Sequence, residues 1–241
     1  KLMEKSKKIK LFIGLFYISS VSLFLYFFFS KFSLQEIASY EFIKDNRDYL
    51  YNLRQSNLFL LAILFILFAT IWVFAAGFGS PLALFAGFIF GKWFGLLFAI
   101  IGMTFGATFL YIFANYFLKD IIRNKFLNRF IGLEKKFKKS EFIYLLIYRF
   151  VGGIPFPIQN VLPCIFNVKI YNFFWSTFLG MIPSLFLIIS IGSGLEEIID
   201  QNLEAPSMMD LIKSSSIYIP LIAFFGLLVI TIFFRNLFYK N

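Results

Sequence analysis

"YRFVGGIPFPIQN", residues 148–160, decides how this chain is read. It places an arginine, two adjacent glycines and two prolines inside a run that is otherwise as apolar as a lipid-facing helix. Proline removes a backbone donor and clashes with the preceding turn, so Pro155 and Pro157 act as helix breakers, with Gly152, Gly153 and Pro163 around them. An arginine at membrane depth is costly and marks a functional path or a partner. Arg149 therefore needs an acceptor, and the surrounding composition decides which kind is on offer.

The sequence has 241 residues, 60% of them hydrophobic and 38 of them phenylalanine, with a mean hydropathy of +0.81. A water-soluble domain needs a far more polar exterior. Several apolar runs reach the ~20 residues required to cross a ~30 Å hydrocarbon core. The expected class is an all-α integral membrane protein. Histidine is absent and Cys164 is the single cysteine, read as a small buried residue. That excludes an intrachain disulfide, a His/Cys metal site and a His-dependent nucleophile system. No catalytic residues, metal or cofactor are expected, and the chain reads as a non-enzyme.

The charges give an orientation. Residues 1–10 hold five lysines and one acid, and residues 118–141 hold eight basic and three acidic residues. Residues 31–57 are balanced, four against four, and residues 193–215 hold five acids and only Lys213. Lys and Arg concentrate on the cytoplasmic side. The N-terminus, the 118–141 loop and the C-terminus are therefore expected inside, in a bacterial-type plasma membrane, with 31–57 and 193–215 outside. The net charge of +10 is then an orientation signal rather than a nucleic-acid footprint. The first apolar run, Leu11 to Phe29, lacks a small-residue cleavage site and reads as a retained helix.

Spanning helices are expected near 11–29, 93–117, 170–192 and 216–236. The segments 58–91, broken at Gly77, Gly79 and Pro81, and 142–165 are read as two inverted re-entrant helical hairpins entering from opposite faces, which keeps the basic loop inside. Two full crossings within 58–91 would keep it inside too, but the limb after Gly79 is short for that. Such backbone is tolerated at membrane depth only where protein or a watery cavity covers it. Three regions follow: an anchor helix with a polar segment (1–57), a core (58–197), and a C-terminal loop and helix (198–241). "FIFGKWFGLLFAIIGM" (88–103) resembles "CIFNVKIYNFFWSTFLGM" (164–181), an internal repeat offset by roughly 77 residues, as in inverted-repeat transporters.

The order Gly79-Ser80-Pro81, Gly87, Gly91, Gly95, Gly102, Gly106, then "YRFVGGIPFPIQN" and "STFLGMIPS" (176–184) resembles the VTT domain of the DedA superfamily, also called the SNARE-associated Golgi protein family. Within that family it resembles the branch of yeast Tvp-like membrane proteins, and the resemblance spans about residues 55–197. It implies two facing re-entrant hairpins and movement of phospholipids or lipid-linked phosphates between leaflets. Departures are visible. The family motif aromatic-xxx-basic falls on Tyr111 and Asn115, and a glycine motif falls on Cys164, Val168 and Phe173. Phe78 stands where a hairpin proline is expected, and the acids of proton-coupled members have no counterpart.

Apart from Arg149, only Lys92 and Lys169 interrupt the apolar stretches, and no carboxylate does. A lipid phosphate fits Arg149, because guanidinium binds phosphate bidentately. Gln159, Asn160, Lys92 and Lys169 complete the expected lipid- or anion-binding set, with Arg149 facing a polar cavity. The competing reading has Arg149 on freed hairpin carbonyls or snorkelling to the interface. Gly87, Gly91, Gly95, Gly102, Gly106 and Gly180 are read as packing glycines. The expected function is a lipid transporter or scramblase. Its partners are phosphate-bearing membrane lipids, with a homo-oligomer open and nucleic acid excluded. Small-solute or ion transport, or a non-transporting trafficking role, are the alternatives.

Overall fold

The computed structural model describes residues 2–31, 40–120, 138–151 and 153–200, with scattered positions between 209 and 229. The basic segment 121–137, Gly152 and most of the expected 216–236 helix lie outside the described residues. Every regular element among those described is helical: α1 (Leu2–Lys31), α2 (Tyr40–Phe74), α3 (Gly79–Phe113) running into a π-helical turn (Ala114–Leu118), α4 (Glu141–Val151), α5 (Phe156–Val161) with a 3-10 turn (Leu162–Phe166), α6 (Ile170–Gly180) and α7 (Ile182–Asp200). Tyr51–Phe74 and Gly79–Leu118 are long and apolar enough to cross a membrane, and α6 with residues 182–195 makes a third span if that pair, bent by 42°, counts as one. Large apolar side chains point outward, Phe59 at 77% and Trp93 at 74% exposure. Such an exterior suits lipid, and the chain is an integral membrane protein.

The long helices are broken where the sequence permits. α2 breaks at Asn57 (φ −158°), whose Oδ1 accepts the Leu60 N–H at 3.0 Å and so starts the apolar limb 58–74. α3 reverses at Gly91, where φ is 73°, a conformation that costs a side-chain-bearing residue ~1–2 kcal/mol. The reversal is tight. A Cβ on Gly95 would lie 2.7 Å from the Ala86 oxygen, and one on Gly79 2.6 Å from Met103 Cε, contacts a straight helix never makes. Residues 79–90 thus run back beside two parallel limbs that also touch each other. Thr70 Oγ1 on the first donates to the Gly102 oxygen on the third, at 3.1 Å.

The second half repeats this plan. α4 and α6 run parallel, Glu141 against Asn172 and Leu146 against Gly180, and the short limb 156–166 returns beside them. The positive-φ residues among those described are Ala76, Gly91, Gly153 and Asn167, two per half, at the tip and at the turn of each hairpin. The repeat seen in the sequence aligns Gly91 with Asn167. Because residues 92–118 make about 40 Å of helix, the Gly91 and Asn167 turns lie at opposite ends of the molecule. The tips meet between them: a Cβ on Gly79 would lie 3.4 Å from Phe156 Cδ1.

Three readings need correction. Gly79 and Pro81 do not break the first hairpin: they sit in the first turn of α3, where proline's missing donor is harmless. The break is at residues 75–78, around Ala76 (φ 60°). Gly91 is no packing glycine, since a Cβ there meets nothing within 4 Å; it is the turn. Pro157 begins α5 and Pro163 begins the 3-10 turn, while Pro155 stands as the residue before α5. Gly87, Gly95, Gly102, Gly106 and Gly180 each lie against a neighbouring backbone or Cβ, as packing glycines do.

Candidate functional site

Arg149 stands in the last turn of α4, before the Gly153 break, and is 3% exposed. Gly180 of α6 lets it sit there, because a Cβ on that residue would lie 2.6 Å from Arg149 Cβ. The guanidinium reaches across the hairpin. Its Nε donates to Thr177 Oγ1 at 3.1 Å, and its Nη1 to Gln159 Oε1 at 3.2 Å and Asn160 Oδ1 at 2.7 Å. Gln159 Nε2 donates in turn to the Tyr148 carbonyl freed at the helix end, at 3.0 Å. Two aromatic rings flank the cation, Phe173 at 5.1 Å and Phe156 at 5.9 Å from its central carbon. Such contacts are worth about 2 kcal/mol when desolvated.

No carboxylate meets Arg149 among the described residues. Glu141 accepts from Asn172 Nδ2 at 2.9 Å and from the Lys169 backbone N–H at 3.3 Å, so it caps α6 instead. The positive charge is therefore buried on neutral oxygens and ring faces alone. Two donors beside it, Arg149 Nη2 and Asn160 Nδ2, are buried without a partner, as is the Tyr148 hydroxyl. An unmet buried donor costs roughly 1–3 kcal/mol, more when charged. Chemically, this is a site short of an acceptor and of a negative charge.

The expected set is brought together only in part. Arg149, Gln159 and Asn160 form one cluster, and both expectations for the guanidinium, an open cavity and freed carbonyls or the interface, give way to side-chain partners closing over it. The reason is the short return limb, which lays two amide side chains directly on it. Lys92 and Lys169 fall outside this cluster, at opposite ends of the molecule: Lys92 follows the Gly91 turn, and exposed Lys169 follows the Asn167 turn. Thr177 was legible as the first residue of the Thr-x-x-Gly-x-x-Pro spacing in 177–183. Phe173 was singled out as the aromatic position of the glycine motif, whereas Phe156, Arg54 and Lys119 had no such signal.

The turn ends are also tied. Arg54 Nη1 donates to the Ile89 carbonyl at 3.0 Å, beside the Gly91 reversal. At the other end Tyr111 donates to the Val168 carbonyl at 2.6 Å and stacks on Phe173 at 4.3 Å. Cys164, Val168 and Phe173 are all buried there. An apolar groove of about 580 Å³ runs outside the core between Thr70, Phe74, Phe113 and Tyr116, away from Arg149. No group of three or more potential metal ligands occurs among the described residues.

Residues 78–194 match the family model of the VTT domain. No curated protein and no solved structure matches the sequence.

Proposed function

Because the chain belongs to the DedA/VTT family through residues 78–194, a membrane family often linked to transport, we propose that it moves phosphate-bearing lipids between leaflets without covalent chemistry. The observation that carries this reading is the buried Arg149 charge with no carboxylate among the described residues and two unmet donors, where the hairpin tips meet. A phosphate group supplies what that site lacks: charge, and several acceptor oxygens in the geometry of a guanidinium fork. In this reading both hairpins are re-entrant. Their return limbs, of about 12 residues, make about 18 Å of helix, little more than half of a ~30 Å hydrocarbon core, so the tips meet near the midplane. The membrane is the plasma membrane, and both termini are cytoplasmic.

The chain carries no proton-relay carboxylate in its apolar stretches, which favours downhill scrambling over proton-coupled transport. Purified protein in liposomes with labelled phospholipids tests the function. Flip rates above those of empty liposomes are expected, and rates equal to them across several headgroups reject it. Cysteines placed at 40–50 or 200–208 should label from outside intact cells, and those at 130–138 should not. Labelling of 130–138 overturns the orientation.

A further inference from the structure

The return limb of the second hairpin is held at both ends by a cation resting on a neutral amide oxygen. At the tip, Arg149 Nη1 meets Asn160 Oδ1 at 2.7 Å. At the turn, Lys119 Nζ meets Asn167 Oδ1 at 2.7 Å, and Asn115 Nδ2 shares that oxygen at 3.3 Å. Asn115 reaches it from the π-helical turn at the end of the long limb, a feature that recurs at functional sites, and Lys119 from the residue that caps that turn. Lys119, like Arg149, has no carboxylate partner among the described residues, because Glu141 is committed to α6. Beside it the buried Asn115 Oδ1 lacks a donor.

An ammonium on a carboxamide is held less strongly than one on an anionic oxygen, where both partners are charged. We infer that Lys119, with Asn115, is an entry station for a lipid headgroup that carries both a phosphate and a hydroxyl. The phosphate takes Lys119 from Asn167, and the hydroxyl donates to Asn115 Oδ1. Among the described residues, the next cation on its route along the return limb is Arg149. Releasing Lys119 from Asn167 also frees the turn of that hairpin, so arrival of the headgroup loosens the limb it must pass. This inference rests on the reading of Arg149 as a phosphate site, but it assigns a different residue, at the end of the molecule rather than at its middle.

Thermal unfolding of the full-length protein in detergent, titrated with dihexanoyl phosphatidylglycerol, reads the station without any need for transport. Lys119→Gln is expected to raise the half-saturating concentration about tenfold, the worth of one charge-assisted contact, and Lys119→Arg to restore most of it. Asn167→Gly keeps the positive φ and removes the competing amide, so it should lower the half-saturating concentration. A lysine that only braces the turn predicts no such gain. In an Arg149→Gln background Lys119→Gln should still weaken the titration, while Arg149→Gln alone stops flipping in liposomes, which separates failure at the entry from failure at the midplane. Equal stabilisation by inorganic phosphate overturns the lipid assignment. Wild-type titration by Lys119→Gln, or no tightening in Asn167→Gly, overturns the station.

Discussion

The hairpin of residues 58–90 and the hairpin of residues 141–166 follow one backbone plan, yet their tips are tied by different chemistry. Trp72, at the end of the first limb, donates through Nε1 to the Phe78 carbonyl at 3.0 Å, and Tyr17 of α1 donates to the Phe74 carbonyl. Arg149, at the corresponding point of the second hairpin, holds three side-chain oxygens. The return limbs differ in the same direction. Residues 79–90 pack backbone to backbone: a Cβ on Gly87 would lie 2.0 Å from the Ile189 oxygen, and one on Gly192 2.1 Å from the Leu84 oxygen. Residues 156–166 are held instead through side chains, which can exchange partners. The first hairpin is a fixed wall, and the second carries the exchangeable polar contacts.

The contrast breaks first at Arg149. Arg149→Gln is expected to lower the flip rate in liposomes at least about tenfold with no fall in melting temperature, because removing an unneutralised buried charge need not destabilise. Arg149→Lys keeps the charge without the fork and should fall between the two. Normal flipping by a stably folded Arg149→Gln protein ends the anion-site reading. If Arg149 were only a brace, the melting temperature and not the flip rate would drop.

Gly87→Ala tests the wall. Its methyl must displace backbone, not a flexible side chain, so a loss of about 1–3 kcal/mol is expected in the unfolding midpoint. An unchanged midpoint would mean that α3 and α7 are not in this close contact. A smaller effect separates the tips: Gly153→Ala, at φ 80°, should destabilise by about 1–2 kcal/mol, whereas Ala76→Gly, at φ 60°, should be neutral or stabilise by up to about 1 kcal/mol. Matching signs at the two sites would remove the equivalence of the tips. Smallest of all, Trp72→Phe removes one hydrogen bond and should cost about 1 kcal/mol with flipping retained.

How far each feature was legible follows from the range of the interaction behind it. The breaks in the second hairpin were readable because proline and paired glycines act on their own backbone. The first hairpin was legible only at Gly77, since its break also contains Ala76 in a left-handed conformation and its turn hides in Gly91, one glycine among several of similar spacing. The Ile-Phe-Gly and Ile-Phe-Asn triplets ending at Gly91 and Asn167 carried the answer, because glycine and asparagine are the residues that tolerate positive φ. Gln159 and Asn160 were found because they lie within eleven residues of Arg149 along the chain. Thr177 and Phe173 fall in motifs of another helix, but only packing brings them to Arg149.

By itself the sequence determined the solvent and the inventory. Its hydropathy requires lipid around the helices, its missing histidine removes whole classes of chemistry, and its missing membrane carboxylate leaves Arg149 without an ionic partner. These are sums over residues, independent of where each one goes. Tertiary structure decided which neutral groups take that charge, and that Lys92 and Lys169 lie at opposite ends while Lys119 reaches the Asn167 turn. Those outcomes depend on three limbs folding side by side at glycine contacts, where a shift of one helical turn would exchange every partner.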